Sequence, residues 1–404
     1  MGQLLSHPLT EKTIIYNDYS TTGNHHHHKA AEHNGSSATE DKPRFSNCIG
    51  SMQGYRLTQE DAHMAVTGAD SLDVSFYDPF LGKVERYQIS VFGVFDGHGD
   101  NNCSNYLAGT LYEHPHSNTH SSNGQKYSEH DGLIYFIKSA FESHNYTSSD
   151  RPDGNKKQFK TIEGLICQVI KDSFKECDAV FHRHFANEAS GSTAIVALII
   201  NGSMLYVANT GDSRCILSKK KKGIKTMSYD HKPQHIGELI RINDDGGTVS
   251  LGRVGGVLAL SRAFGDFQFK RNVKYPNASS IAITSKRKFV PAEEAQVTVE
   301  PDVIPHLIDT SQDEFLVLAC DGIWDVYSNK ALVRFIKYHL ALGLKLDGII
   351  TKLLDHGISC ADSNTGVGFD NFTLIVVALQ LPGETLDEWY ARMKFRLERE
   401  KGLL

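Results

Sequence analysis

Asp96-Gly97-His98-Gly99 bring together three groups that chemistry can use: a carboxylate, a backbone carbonyl with no side chain over it, and an imidazole. The stretch follows Tyr87 to Phe95, rich in Val, Ile and aromatics, which reads as a buried strand. A carboxylate at a strand tip with an imidazole beside it suits a metal site with a proton donor. Asp-Gly is also a common turn dipeptide, so the stretch taken alone reads as a turn too.

The same theme recurs along the chain. Glu60-Asp61, Asp96-Gly97, Asp321-Gly322 and Asp370-Asn371 each place an acid at or near the end of an apolar strand, and Asp212 stands in Asn209-Thr210-Gly211-Asp212-Ser213-Arg214. In an antiparallel sheet, alternate strand ends converge at one edge, so acids from distant parts of the chain can meet. Such a cluster is unstable alone, because like charges raise one another's pKa and an unpaired buried charge is costly. Divalent cations resolve the conflict. All-oxygen ligands favour Mg²⁺ or Mn²⁺ over Zn²⁺. Asp96 could bridge two ions, with the Gly97 carbonyl accessible beside it.

Two metals held by carboxylates suit phosphoryl chemistry, in which a metal-bound hydroxide attacks phosphorus in line. His98 could then protonate the leaving alkoxide. Arg56, four residues before Glu60, could grip phosphate oxygens with its fork. Each residue alone has an ordinary reading: Glu60-Asp61 a solvated pair, Asp212 a turn acid, Arg56 a surface arginine, His98 a structural histidine. The set outweighs these readings.

Ser71 to Phe80 and Tyr87 to Phe95 read as strands joined by a Gly-containing turn, and Asp131 to Asn145 and Thr161 to Phe185 as helices. Thr193 to Ile200, Ser203 to Ala208 and Arg214 to Ser218 are strand signals, the first two separated by the hairpin dipeptide Asn201-Gly202. Ile236 to Asn243 reads as a short helix, Phe315 to Ala319 and Phe372 to Leu379 as buried strands, and Asn329 to Leu342 and Lys345 to Ala361 as amphipathic helices. Glu384 to Lys401 is a final charged helix that would dock through Trp389, Tyr390 and Met393. Helices grouped between runs of antiparallel strands argue for α+β layers rather than a parallel βαβ sheet.

The chain has 404 residues, 40% hydrophobic and 22% charged, as in an ordinary globular protein. Its formal net charge of −6 provides no general basic face for nucleic acid, and the one dense basic run, Lys219 to Lys222, reads as a solvated loop. Seven scattered cysteines without a C-x-x-C pair read as reduced, mostly buried thiols in a cytoplasmic or nuclear protein. No apolar run approaches transmembrane length. Met1-Gly2-Gln3-Leu4-Leu5-Ser6 fits the myristoylation pattern, and a single myristoyl chain would give only weak peripheral membrane association. Residues 17–44 read as a disordered polar insertion carrying His25 to His28, and 114–130 and 147–160 as surface loops interrupting one domain.

Gln53-Gly54-Tyr55-Arg56, Glu60-Asp61-Ala62-His63, Val94-Phe95-Asp96-Gly97-His98-Gly99, Gly191-Ser192-Thr193-Ala194, Asn209 to Arg214, Asp230-His231-Lys232-Pro233, Leu260 to Asp266, Ala319 to Asp325 and Asp370-Asn371 follow one another in the chain. In that order they resemble the metal-dependent type 2C protein serine/threonine phosphatases, the PPM family, from about Phe45 to Leu379. The resemblance implies a phosphatase domain over 45–380, after an N-terminal segment 1–16 and before a C-terminal helix 381–404. It implies a central antiparallel β-sandwich flanked by pairs of antiparallel α-helices, four layers in all. It implies that Asp96 bridges two Mg²⁺ or Mn²⁺ ions, with Glu60, the Gly97 carbonyl, Asp321 and Asp370 completing the sites and Asp61 in or beside them. Asp212 with Asp321 would suit a weaker third ion, Arg56 would bind phosphate, and His98 would be the general acid. Residues 266–294 fall where the family has a flap subdomain. Asp100 departs from the family's second glycine and is expected to face solvent.

The reading is a phosphatase of phosphoserine and phosphothreonine in proteins, working by direct hydroxide attack. The rivals are an inactive type 2C fold serving as a binding module, opposed by the intact acid set, and a two-metal phosphodiesterase or nuclease, opposed by the negative charge. Expected partners are phosphorylated protein substrates and kinases of signalling cascades. No nucleic acid, no stable membrane insertion and a monomeric state are expected.

Overall fold

Strand Ala194–Ile200 is buried on both faces. Ile195, Ala197 and Ile199 enter one apolar cluster, and Ala194, Val196, Leu198 and Ile200 enter another. Successive side chains on a strand point to opposite faces, so this strand lies between two cores. That explains its unbroken apolar sequence, and it fixes a layered architecture. The computed structural model describes residues 4–19, 45–109, 132–148, 158–185, 187–221, 223–271 and 290–400.

Two six-stranded sheets form the sandwich. One runs Leu4–Asn17, Asn47–Arg56, Phe372–Ala378, Asp313–Ala319, Arg214–Lys219, Ile224–Thr226, every neighbour antiparallel. The other runs Asp302–Leu307, Met204–Thr210, Ala194–Ile200, Lys83–Phe95, Ala62–Val66, also antiparallel. Leu72–Asp78 pairs with the first half of Lys83–Phe95. Between the sheets, Phe92, Val94 and Val207 meet Leu316, Leu318 and Val377 in one core.

Helices cover both outer faces. Leu133–Ser143 and Ile162–His184 supply Phe136, Phe141, Val169 and Phe174 to the core beneath the second sheet. Asn329–Ala341, Leu346–Ser359 and Leu386–Glu400 supply Ile336, Leu353 and Trp389 to the core of the first. The Thr161 and Ser328 hydroxyls cap their helices by accepting from Gly164 N at 3.1 Å and Ala331 N at 3.2 Å. Asn201 and Gly202 both have positive φ, as a two-residue hairpin turn requires.

The four expected layers are present. Some features differ from the sequence expectation. Leu4–Asn17 is an edge strand on Asn47–Arg56, fastened by a hydrogen bond between the Tyr16 and Tyr390 hydroxyls at 3.1 Å. The 147–160 stretch is not all loop, since Thr147–Ser148 pairs in parallel with Gln158–Phe159. Lys219 in the basic run pairs with buried Asp313 at 2.7 Å rather than facing solvent freely. Gly2, most of the 17–44 insertion, the 114–130 loop and residues 272–289 of the flap segment lie outside the described residues. No described helix is long and apolar enough to cross a membrane.

Candidate metal centre and active site

Strands Lys83–Phe95 and Asp313–Ala319 end at the same edge where Ala62–Val66 and Phe372–Ala378 begin, since Ala62 pairs with Phe95 and Ala319 with Leu374. The acids therefore sit just outside strand ends and strand starts alike, and Asp321 opens the short helix Asp321–Val326. Asp96 lies at the centre. Its backbone is pinned by Thr193 N donating to Asp96 O at 2.9 Å and Asp96 N donating to Thr193 Oγ1 at 3.2 Å. Carboxylate oxygens of Asp96, Asp212 and Asp321 all lie within 4.8 Å of one another. Ligand atoms of Asp61, Asp96 and Cys320 form a second such group, so Asp96 belongs to both.

Burial and mutual repulsion shift the carboxyls of this cluster upward. Burial, followed by the charges of Asp321 and Asp61, raises the Asp96 carboxyl well above its ordinary value. Burial and then Asp212 and Asp370 do the same to Asp321. Burial pushes the Asp61 carboxyl up to about 7. Asp61 Oδ2 is buried with no hydrogen-bond partner. An orphaned carboxylate oxygen beside mutually repelling acids fits a divalent ion, and the oxygen donors fit Mg²⁺ or Mn²⁺. Cys320 is the member that sequence reading left as an ordinary buried thiol. Burial raises its pKa well up, and its Sγ is engaged with Asn371 O at 3.5 Å and Thr373 N at 3.2 Å.

The loops around the cluster are stapled by Asn371. Its Nδ2 donates to Gln53 O at 2.9 Å and Thr58 O at 3.0 Å, and its Oδ1 accepts from Glu60 N at 3.0 Å. Gly97 is required by packing, because a Cβ there would overlap Glu60 O and stand 2.8 Å from Ser104 Oγ. The Glu60 carboxylate lies outside the two tight groups. Burial raises its pKa, opposed by the charges of Arg56 and His98. Asp370 is also outside those groups but acts electrostatically on Asp61, Asp96 and Asp321. Its Oδ2 accepts from Arg56 Nη2 at 2.5 Å. Asp212 carries an ion pair with Lys232. Asp100 is exposed, and its carboxylate accepts from Asn101 N at 2.7 Å.

His98 sits in a small three-stranded sheet of Phe264–Gly265, Gly191–Ser192 and Gly97–His98. Its Nε2 lies 2.7 Å from Asp266 Oδ2, with the Asp266 side chain only 2% exposed. A Cβ on Gly191 would overlap both atoms of this pair. Burial pulls the imidazolium pKa down, but Asp266 outweighs it and leaves His98 above its ordinary value. Asp266 itself adopts φ +49°, a conformation uncommon for a residue with a side chain. Sequence reading quoted Asp266 and Lys232 within motifs but gave them no role. Their contacts are made over separations of 168 and 20 residues, which no local pattern reveals.

The family described as "Protein phosphatase 2C" matches residues 109–366. The chain is 58% identical over 409 residues to "Protein phosphatase 2C homolog 4" of Saccharomyces cerevisiae, covering 100% of both chains. It is 34% identical over 404 residues to "Protein phosphatase 2C homolog 2" of Hypocrea jecorina, covering 100% of this chain and 72% of that one. Among solved structures, a phosphatase from a pathogenic strain of Toxoplasma gondii shares the fold with a TM-score of 0.57 at 21% identity, covering 93% of this chain and 97% of that one. Serine-threonine phosphatase 2C from Toxoplasma gondii gives a TM-score of 0.53 at 19% identity, covering 91% and 99%.

Proposed function

This chain belongs to the protein phosphatase 2C family and is a metal-dependent protein phosphatase, and from that premise we propose that it hydrolyses phosphoserine and phosphothreonine side chains at the Asp96 cluster. The observation that carries the reading is the convergence of Asp96, Asp212 and Asp321 carboxylates within 4.8 Å, with Asp61 and Asp96 in a second group. When bound, Mg²⁺ or Mn²⁺ supplies Lewis-acid charge and lowers the pKa of a water.

The residues divide the remaining work. Asp96, shared by both groups, would hold two such ions together with Glu60, Asp61, the Gly97 carbonyl, Asp321 and Asp370. Asp212 with Asp321 would hold a weaker third ion, in competition with the Lys232 ammonium. Arg56 orients the phosphate while its pairing with Asp370 keeps the guanidinium at the metal edge. His98 Nε2 faces Asp266, which leaves Nδ1 as the nitrogen that hands a proton to the leaving serine or threonine oxygen. Asp266 keeps that imidazole charged and oriented.

Signalling kinases are among the phosphoprotein substrates in this reading, and the enzyme works as a cytoplasmic or nuclear monomer. Its attachment to membranes, if Gly2 is acylated, is weak. The test is metal-dependent phosphate release from matched phosphoserine, phosphothreonine and phosphotyrosine peptides. The reading requires hydrolysis of the first two, abolished by a chelator; turnover of phosphotyrosine alone would refute it.

A further inference from the structure

A buried ion pair lies outside the metal cluster. Asp178, on helix Ile162–His184, and Lys270 have side chains 1% and 2% exposed, and their charged atoms are 2.9 Å apart. Taking both charges out of water costs several kcal/mol per ion, so a buried pair is weak evidence of stabilisation by itself. Its geometry shows what it holds. Asp178 Oδ1 accepts from Gly265 N at 2.8 Å, and Lys270 Nζ donates to Ala263 O at 2.8 Å. The two charges therefore grip the backbone on both sides of Phe264, immediately before Asp266.

That backbone needs a grip. Gly265 and Asp266 have φ of +68° and +49°, so two consecutive residues take left-handed conformations. The second carries a side chain and is disfavoured there unless its surroundings enforce it. The turn delivers the Asp266 carboxylate to His98 Nε2 across Gly191. Among the described residues, the Asp266 N–H donates to Ser190 O at a long 3.3 Å. We propose that Asp178 and Lys270 are positioning residues for catalysis, locking the Gly265–Asp266 turn so that Asp266 holds His98 in its proton-donating orientation. The proposal rests on His98 being the general acid.

The consequence is selective. A positioned acid matters for an alkoxide leaving group and little for a nitrophenolate, which leaves without a proton. The Asp178→Asn/Lys270→Met double variant removes both charges, leaves no unpaired buried ion, and keeps an oxygen for Gly265 N. General-acid catalysis contributes about 10²–10⁴-fold, and partial misplacement should cost about tenfold of it. In the full chain with saturating Mn²⁺, kcat on a phosphoserine peptide should therefore fall about tenfold while kcat on p-nitrophenyl phosphate holds within about twofold. Lys270→Arg, which keeps a buried cation, should retain the parent ratio of the two rates and serves if the double variant does not fold; a changed ratio with a parent-like Tm would overturn the proposal. Equal losses on both substrates, or no loss on either, would also overturn it. His98→Ala is measured alongside. If His98→Ala splits the substrates and the double variant does not, the positioning role fails alone. If His98→Ala does not split them, the general-acid reading fails and the positioning role with it.

Discussion

Arg56 and Asp370, 314 residues apart in the chain, meet at 2.5 Å on the edge of the acid cluster. The pair is partly exposed, at 38% and 31%, so it adds little to stability. Its value is positional: the group proposed to grip phosphate is tethered to a carboxylate proposed to hold a metal. Arg56→Lys keeps the charge but loses the planar fork. Losing one charge-assisted hydrogen bond, about 1.5 kcal/mol, corresponds to a rise in KM of about tenfold. Steady-state kinetics on a phosphopeptide measures this, and an unchanged KM would separate Arg56 from phosphate binding.

The crowded acids make ion-free protein sensitive to pH. Asp61 is raised from 3.8 to about 7, and Asp96 and Asp321 are also raised. A carboxyl whose folded pKa exceeds its unfolded value binds more protons when folded, so stability falls as pH rises between the two values. In chelator, Tm should therefore decrease from pH 4 toward neutrality through this window. Divalent ions replace those protons, so the Tm increase on adding Mg²⁺ should be larger at about pH 8 than at about pH 5.5. A pH-independent increase would contradict the cluster as the ion site.

Gly191 gives a packing test of the His98–Asp266 pair. A methyl group there overlaps both Asp266 Oδ2 and His98 Nε2. Gly191→Ala should cost about 1–3 kcal/mol of stability as overpacking. It should slow phosphoserine hydrolysis far more than p-nitrophenyl phosphate hydrolysis. Thermal melts and the two kinetic assays measure both effects, and an undisturbed phosphoserine rate would show that the pair is not used.

Where burial leaves a local mark, the sequence was readable. The runs that became Ala194–Ile200, Phe315–Ala319 and Phe372–Ala378 are largely apolar because each strand is buried on both faces. The acids at their ends could then be placed on one edge. Leu4–Asn17 escaped because an edge strand alternates polar residues and tolerates Pro8. Asn47–Arg56 escaped because Gly50 and Gly54 interrupt its apolar pattern, yet both are packing requirements: a Cβ on Gly50 would overlap Ile350, and one on Gly54 would stand 2.9 Å from Asp370 O. Asp266, Lys232 and Cys320 joined the site only through contacts made by the fold.

We propose Asp96 as the shared ligand of the divalent-ion site that supports phosphate release. Asp96→Asn keeps the side chain's size and removes a charge that repels its neighbours, so the variant should fold. Calorimetric titration with Mn²⁺, paired with phosphate release from a phosphoserine peptide, tests the claim directly. No Mn²⁺ binding is expected at concentrations that saturate the parent protein, and turnover should fall at least about 1,000-fold, since the ions supply several kcal/mol of transition-state stabilisation. A folded Asp96→Asn protein that binds Mn²⁺ like the parent and turns over within about tenfold of it, a loss of only about 1.4 kcal/mol, would remove Asp96 from the ion site.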